Sequence, residues 1–124
     1  MDTKTETILG KRILLVDDER LMREFIRALL AQDEHIVVEA NNGAEAYTLF
    51  TEGRFDLVLT DCVMPFVTGE ELAVRIRRLA PQQPILMITG HDMRRGVSNP
   101  ADVVLYKPFD YAGLRKAMAR LLGN

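Results

Sequence analysis

Four short apolar runs in this chain each stop at a polar group, and each is too uniformly apolar to lie with one face in water. Ile13-Leu14-Leu15-Val16 runs into Asp17-Asp18, and Leu57-Val58-Leu59-Thr60 into Asp61. Ile85-Leu86-Met87-Ile88 runs into Thr89-Gly90, and Val103-Val104-Leu105-Tyr106 into Lys107-Pro108. A half-exposed strand alternates apolar and polar side chains, so unbroken runs read as strands covered on both faces, the habit of parallel sheets. Helix-length amphipathic segments lie between the runs, and that alternation implies a sheet with helices on both sides. In open sheets of this kind, ligands bind outside the C-terminal strand ends, where the strand order reverses. Three carboxylates, a hydroxyl and an ammonium are placed at those ends.

The element reading is as follows. Strands are expected at Lys11 to Val16, His35 to Glu39, Asp56 to Thr60, Ile85 to Ile88 and Val103 to Tyr106. A helix over Arg20 to Gln32 would turn Leu21, Phe25, Ala28 and Leu29 to one face. Asn42-Gly43 opens a second helix through Phe50, ended by Gly53. Thr68, with Glu71 three residues on, forms a capping box for a third, whose face carries Leu72, Ile76 and Leu79 until Pro81 stops it. Asp110 caps a last helix that turns Leu114, Met118 and Leu121 inward. The segment His91 to Asp102 holds Gly96, Ser98, Asn99 and Pro100 and has little helical period, so a fourth helix there is expected to be shortened or absent. Residues 1–10 read as a flexible tail and 11–124 as one domain.

Composition narrows the function classes. At 124 residues with 48% hydrophobic and 27% charged residues, the chain has ordinary globular make-up for one domain. A net charge of −2 gives no electrostatic reason for nucleic acid or an anionic membrane as the direct partner. No run approaches the roughly 18 apolar residues of a membrane span, and the N-terminus lacks a signal-peptide layout. The single cysteine, Cys62, excludes an intrachain disulfide. A soluble, cytoplasmic domain is the expectation.

Asp17, Asp18 and Asp61 carry the chemistry. Carboxylates converging at strand ends repel one another unless a cation intervenes or one stays protonated. Hard oxygen donors with room for water suit Mg²⁺, whereas Ca²⁺ takes more ligands, usually from a dedicated loop. A divalent cation beside a free carboxylate suits phosphoryl chemistry, with the carboxylate oxygen as nucleophile. Lys107 and Thr89 would hold phosphoryl oxygens, since such transfers depend on positioning and charge neutralisation. Each piece also has a plain reading: an Asp pair before a helix is often an N-cap, and Thr or Lys-Pro after a strand is often only a turn. The set in register at strand ends favours the chemical one.

The chain resembles a response-regulator receiver domain of two-component signalling, in the CheY-like superfamily, from Lys11 to Leu122. The matching pieces are Leu15-Val16-Asp17-Asp18-Glu19, Asp61-Cys62-Val63-Met64-Pro65, Thr68-Gly69-Glu70-Glu71, Thr89-Gly90 and Lys107-Pro108-Phe109. The resemblance implies a flavodoxin-like doubly wound sheet of five parallel strands in the order 2-1-3-4-5. It makes Asp61 the phosphoacceptor, supplied by a histidine kinase or a histidine phosphotransfer protein. Asp18, Asp61 and the backbone carbonyl of Val63 would ligate Mg²⁺, with Asp17 acting mainly through bound water, and Thr89 and Lys107 would contact phosphoryl oxygens. The domain would catalyse its own phosphorylation and dephosphorylation without being a conventional enzyme. Output would pass to a downstream protein target, with a homodimer as a further route.

The chain departs from that pattern in two places. The aromatic expected three residues before the Lys is Val104, with Tyr106 nearby instead. The Thr89-to-Lys107 interval is shorter than usual by about one helical turn. Val63 and His91 would flank the phosphoryl group, an apolar Val63 slowing hydrolysis by failing to orient water, and His91 reads as a solvated loop residue. Cys62 reads as a small core residue, His35 as structural, Arg94-Arg95 as a solvated face, and Met22 as either a docking or a core-edge residue. The expectation is a regulator or relay intermediate without its own output domain. The receiver module of a hybrid histidine kinase is the near alternative. A Mg²⁺-dependent phosphohydrolase is the alternative from another class, disfavoured because no insertion is long enough for a substrate cap; a phosphorylation-independent interaction module and a flavin-binding protein rank lower.

Overall fold

The computed structural model describes residues 7–90 and 99–123. Its elements are β1 (Arg12–Val16), α1 (Arg20–Ala31), β2 (Ile36–Ala40), α2 (Gly43–Glu52), β3 (Leu57–Asp61), α3 (Gly69–Leu79), β4 (Ile85–Thr89), β5 (Val103–Tyr106) and α4 (Tyr111–Leu122). All strand pairings are parallel and the sheet order is β2-β1-β3-β4-β5. This is the doubly wound order expected from the sequence. The boundaries fall within one or two residues of the reading above, and the fourth-helix expectation lies mostly outside the described residues. Asn99 to Asp102, which are described, are not helical.

The central strands are buried on both faces, as their unbroken apolar runs require. Alternate side chains feed two separate cores. Leu14, Val16, Val58 and Ile85 pack with Ala46, Phe50, Leu72 and Ile76 on the side of α2 and α3. Ile13, Leu15, Leu57, Leu59, Leu86 and Ile88 pack with Ile26, Leu30, Leu114 and Met118 on the side of α1 and α4.

Caps set the helix starts. The Asn42 side chain accepts from the Glu45 N–H, and Thr68 and Glu71 complete the capping box. The Asp110 carboxylate accepts from the Gly113 N–H, so α4 begins where the sequence placed it. Such caps contribute about 1 kcal/mol each.

The inward face of α1 differs from expectation. Leu21 is 74% exposed and Phe25 49% exposed, Ala28 is exposed and Leu29 only half-buried. The buried stripe is Arg23, Ile26 and Leu30, with Met22 at its edge. The cause is Arg23. Its polar head has partners inside, so it takes a core position at helical spacing from Ile26 and Leu30, and the more apolar Leu21-Phe25 stripe turns outward.

A polar network ties the end of α1 to α4. The buried Asp33 carboxylate accepts from the Tyr111 hydroxyl at 2.6 Å and from two Arg115 nitrogens at 2.9 Å each. Arg115 also lies over the Tyr111 ring, 4.2 Å from its centroid. His35 is buried beside this network; its Nδ1 accepts from the Lys11 N–H at 2.9 Å, and burial lowers its pKa. It is structural, as expected.

Two outcomes follow from these contacts. The Arg115 bonds hold the Asp33 pKa below its ordinary 3.8. Stability from the Asp33 charge is therefore complete above that value and lost as pH falls through the depressed one. Thermal melts from pH 7 to pH 2.5 should show Asp33→Asn with a lower Tm than the parent at neutral pH, and the gap should close at the acid end. The second concerns Gly69, whose N–H donates to the Cys62 carbonyl at 2.9 Å. A Cβ there would collide with the Asp61 carbonyl oxygen and come within 3.0 Å of the Cys62 Cα. Gly69→Ala should cost about 1–3 kcal/mol in denaturant unfolding, the usual range for overpacking.

Candidate phosphoacceptor and metal site

The sheet itself assembles the site. Backbone bonds just past the strands lock their C-terminal ends together: the Asp17 N–H to Ala40 O, the Cys62 N–H to Ile88 O, and the Lys107 N–H to Thr89 O. β1 and β3 are neighbours, so Asp17-Asp18 and Asp61 emerge side by side. Ligand oxygens of Asp17, Asp18 and Asp61 all lie within 4.8 Å of one another. β5 returns on the far side of β4, and the Lys107 Nζ comes to 3.7 Å from Asp61 Oδ1.

Each carboxylate sits in a different setting. Asp17 is buried, and its Oδ1 accepts from the Glu19 N–H at 2.8 Å. Burial, with the Asp61 and Asp18 charges adding to it, pushes its carboxyl up to about 6. Asp61 is half-buried; its Oδ1 accepts from the Cys62 N–H at 2.9 Å, and burial raises its pKa against the pull of Lys107. Asp18 is exposed. The gradient runs from a buried carboxyl to one open to solvent, with Asp61 between them.

This donor set fits a hard divalent cation. Converging carboxylates, two of which, Asp17 and Asp61, have their proton affinity raised chiefly by burial, are stabilised by an ion that takes the place of protons. Asp17, Asp18 and Asp61 would hold the ion, and three closely spaced oxygens with an exposed flank leave room for water and a phosphate oxygen, as Mg²⁺ prefers.

The other candidates fall around this centre. Thr89 closes β4 fully buried and hydrogen-bonds the Cys62 side chain. Val63 is 55% exposed in the loop after Asp61. Cys62 is buried, with its thiol pushed up chiefly by burial, and takes a small core position as expected. The Lys107–Pro108 peptide is cis. His91, Arg94 and Arg95 lie outside the described residues. Val104 is half-buried and Tyr106 is 47% exposed, on the same side of β5.

Sequence reading missed two contributors. Arg23 reaches the acidic turn from inside α1, and Gly69 lets α3 seat against the Asp61 carbonyl. The signal for Arg23 was available: it is the charged residue at helical spacing from Ile26 and Leu30. Phe66, 97% exposed with φ 69°, also went unremarked. A bulky side chain in the left-handed region is an unusual choice for a loop.

Comparison with known proteins places this geometry. Residues 13–119 match the response regulator receiver domain family. The chain is 38% identical over 116 residues to the response regulator receiver protein CpdR of Brucella abortus, covering 90% of this chain and 97% of that protein. It is 34% identical over 118 residues to the chemotaxis protein CheY of Halobacterium salinarum, covering 92% and 98%. Among solved structures, the response regulator TrrA of Thermotoga maritima in complex with Mg²⁺ and BeF superposes with a TM-score of 0.85 at 34% identity, covering 90% of this chain and 99% of that one. TrrA in complex with the histidine kinase ThkA gives a TM-score of 0.82, covering 90% and 98%. No helix among the described residues is long and apolar enough to cross a membrane. The strand order, the acidic cluster and these matches agree: the chain belongs to the response regulator receiver domain family of two-component systems.

Proposed function

We propose that this domain is a phosphorylation-controlled switch of the cytoplasm that takes a phosphoryl group from a kinase phosphohistidine onto Asp61. The observation that carries the reading is the meeting of Asp17, Asp18 and Asp61 within 4.8 Å, with the Lys107 ammonium 3.7 Å from the Asp61 carboxylate. An Asp61 oxygen forms the new O–P bond as the P–N bond to the histidine breaks, and the leaving imidazole keeps the electron pair. Bound Mg²⁺ would neutralise phosphoryl oxygens and lower the barrier to attack by an anion. Lys107 would neutralise phosphoryl oxygens that the ion does not reach, and the Cys62 N–H keeps the Asp61 carboxylate oriented.

The approach to Asp61 suits a protein donor. Leu21 and Phe25 leave α1 exposed, and the Phe25 ring lies 6.4 Å from Phe109, which follows Lys107-Pro108. Val63 and Phe66 supply apolar contacts from the loop after β3. This rim would receive the phosphohistidine-bearing helix of a histidine kinase or histidine phosphotransfer protein. Met22, partly buried, packs against the core edge.

Two measurements test the reading. Incubation with Mg²⁺ and acetyl phosphate should add one phosphoryl mass to the intact protein, with none added to Asp61→Asn or when EDTA is present. A folded parent that binds Mg²⁺ and gains no mass defeats the proposal. The exposed apolar Val63 gives an attacking water no hydrogen-bond partner, so Val63→Asn should lose its phosphoryl group faster than the parent, by about tenfold if the amide supplies one transition-state hydrogen bond of about 1.4 kcal/mol. The decay is followed by mass after donor removal, and an unchanged half-life removes Val63 from the account.

A further inference from the structure

We infer that Arg23 is a positioning residue for the acidic turn: it clamps the peptide that joins Asp17 to Asp18 and so sets the spacing of the cation-binding carboxylates. The inference rests on the Mg²⁺-dependent reading above and adds a residue to it.

The side chain of Arg23 is 10% exposed, and two of its guanidinium nitrogens bond inward. Nη1 donates to the Asp17 carbonyl oxygen at 2.7 Å, and Nε donates to Glu39 Oε1 at 3.1 Å. Glu39, on edge strand β2, also meets Arg27 at 3.5 Å. Asp17 itself is held at its N–H, its carbonyl and one carboxylate oxygen. Its N–H goes to Ala40 O, its Oδ1 accepts from the Glu19 N–H, and its carbonyl accepts from Arg23. The carbonyl belongs to the Asp17–Asp18 peptide, so its direction fixes that plane and with it the departure of the Asp18 side chain. Without Arg23 the carbonyl loses a charge-assisted partner in a buried place, and the peptide can rotate toward water. Asp18 itself is exposed.

Glu39 anchors the far end of the clamp but does not touch the acidic turn. The two ends therefore separate by substitution. Arg23→Met keeps the stem that packs in the core and removes both bonds. Arg23→Lys keeps a cation that reaches one acceptor at a time. Glu39→Gln keeps an acceptor for Nε and removes the charge.

The experiment measures Mg²⁺ affinity by titration followed in ¹H–¹⁵N spectra, together with Tm and hydrogen exchange of the Asp18 amide in metal-free protein. Arg23→Met should bind Mg²⁺ ~10–100-fold more weakly than the parent, the range for loss of a residue that orients a metal ligand. Arg23→Lys should fall between them, and both should exchange the Asp18 amide faster. Glu39→Gln should lower Tm while leaving Mg²⁺ affinity within about threefold, a shift of under ~0.7 kcal/mol. A folded Arg23→Met with parental Mg²⁺ affinity overturns the clamp and leaves the phosphoacceptor reading intact. If Arg23→Met does not fold, parental affinity in Arg23→Lys overturns it equally. A folded parent with no Mg²⁺ affinity overturns the reading of the site and the clamp with it.

Discussion

Everything at the functional end of this domain depends on holding three carboxylates close together at the edge of the core, one of them buried, one half-buried and one exposed. Like charges at such spacing, partly out of solvent, are costly unless a cation or a proton relieves them. Asp17 shows the cost directly, with its carboxyl pushed up to about 6 chiefly by burial. A chain spends stability in this way only when the surroundings fix the groups in place, and here the sheet does so. Parallel pairing of β1 with β3 brings Asp17-Asp18 and Asp61 to one edge, and backbone bonds past the strand ends prevent the loops from splaying. Lys107, delivered by β5, supplies one permanent positive charge, which leaves the cluster short of neutralisation and receptive to a divalent ion.

The two-sided core explains why this placement is firm. Because β1, β3 and β4 alternate side chains into two packed layers, a one-residue slip of any strand would exchange every inward residue between layers. Register is therefore fixed by packing at the strand centres, and it sets the positions of the polar residues at the strand ends. Gly69 extends the same constraint to α3, whose capped first turn packs close against the Asp61 carbonyl.

The strands and the acidic cluster at their ends were legible in the sequence because both follow from local signals, whereas the strand order came from the resemblance to the receiver family. Unbroken apolar runs mark buried parallel strands, and a polar group at the end of each marks the ligand side of the sheet. Caps at Asn42, Thr68 and Asp110 were legible for the same reason: one side chain, one N–H, a fixed offset. The face of α1 was not. Leu21, Phe25 and Leu29 form as good an apolar stripe as Ile26 and Leu30, and periodicity cannot choose between two stripes about 100° apart. The choice is made by Arg23, through bonds to Asp17 and Glu39 that are distant in sequence. The clasp of Asp33 by Tyr111 and Arg115, spanning the chain from α1 to α4, was invisible for that reason too.

The rotation of α1 joins the two halves of the argument. Placing Arg23 inward satisfies the Asp17 carbonyl and the Glu39 carboxylate, and helical geometry then leaves Leu21 and Phe25 pointing away from the core. Leu21 follows the acidic pair within the first turn of α1, and Phe25 meets Phe109 beyond Lys107. The residue that braces the charged turn thus also determines which apolar side chains surround the entrance to Asp61. An α1 rotated to bury Leu21 and Phe25 would expose Ile26 and Leu30, so the roughly 1.5–3 kcal/mol from each newly buried side chain would be offset by a similar loss. It would also strip the Asp17 carbonyl of its partner and move an ion-paired arginine into water. With the apolar terms near balance, the bonds of Arg23 to the Asp17 carbonyl and the Glu39 carboxylate decide the rotation, and the exposed apolar rim is the physical consequence.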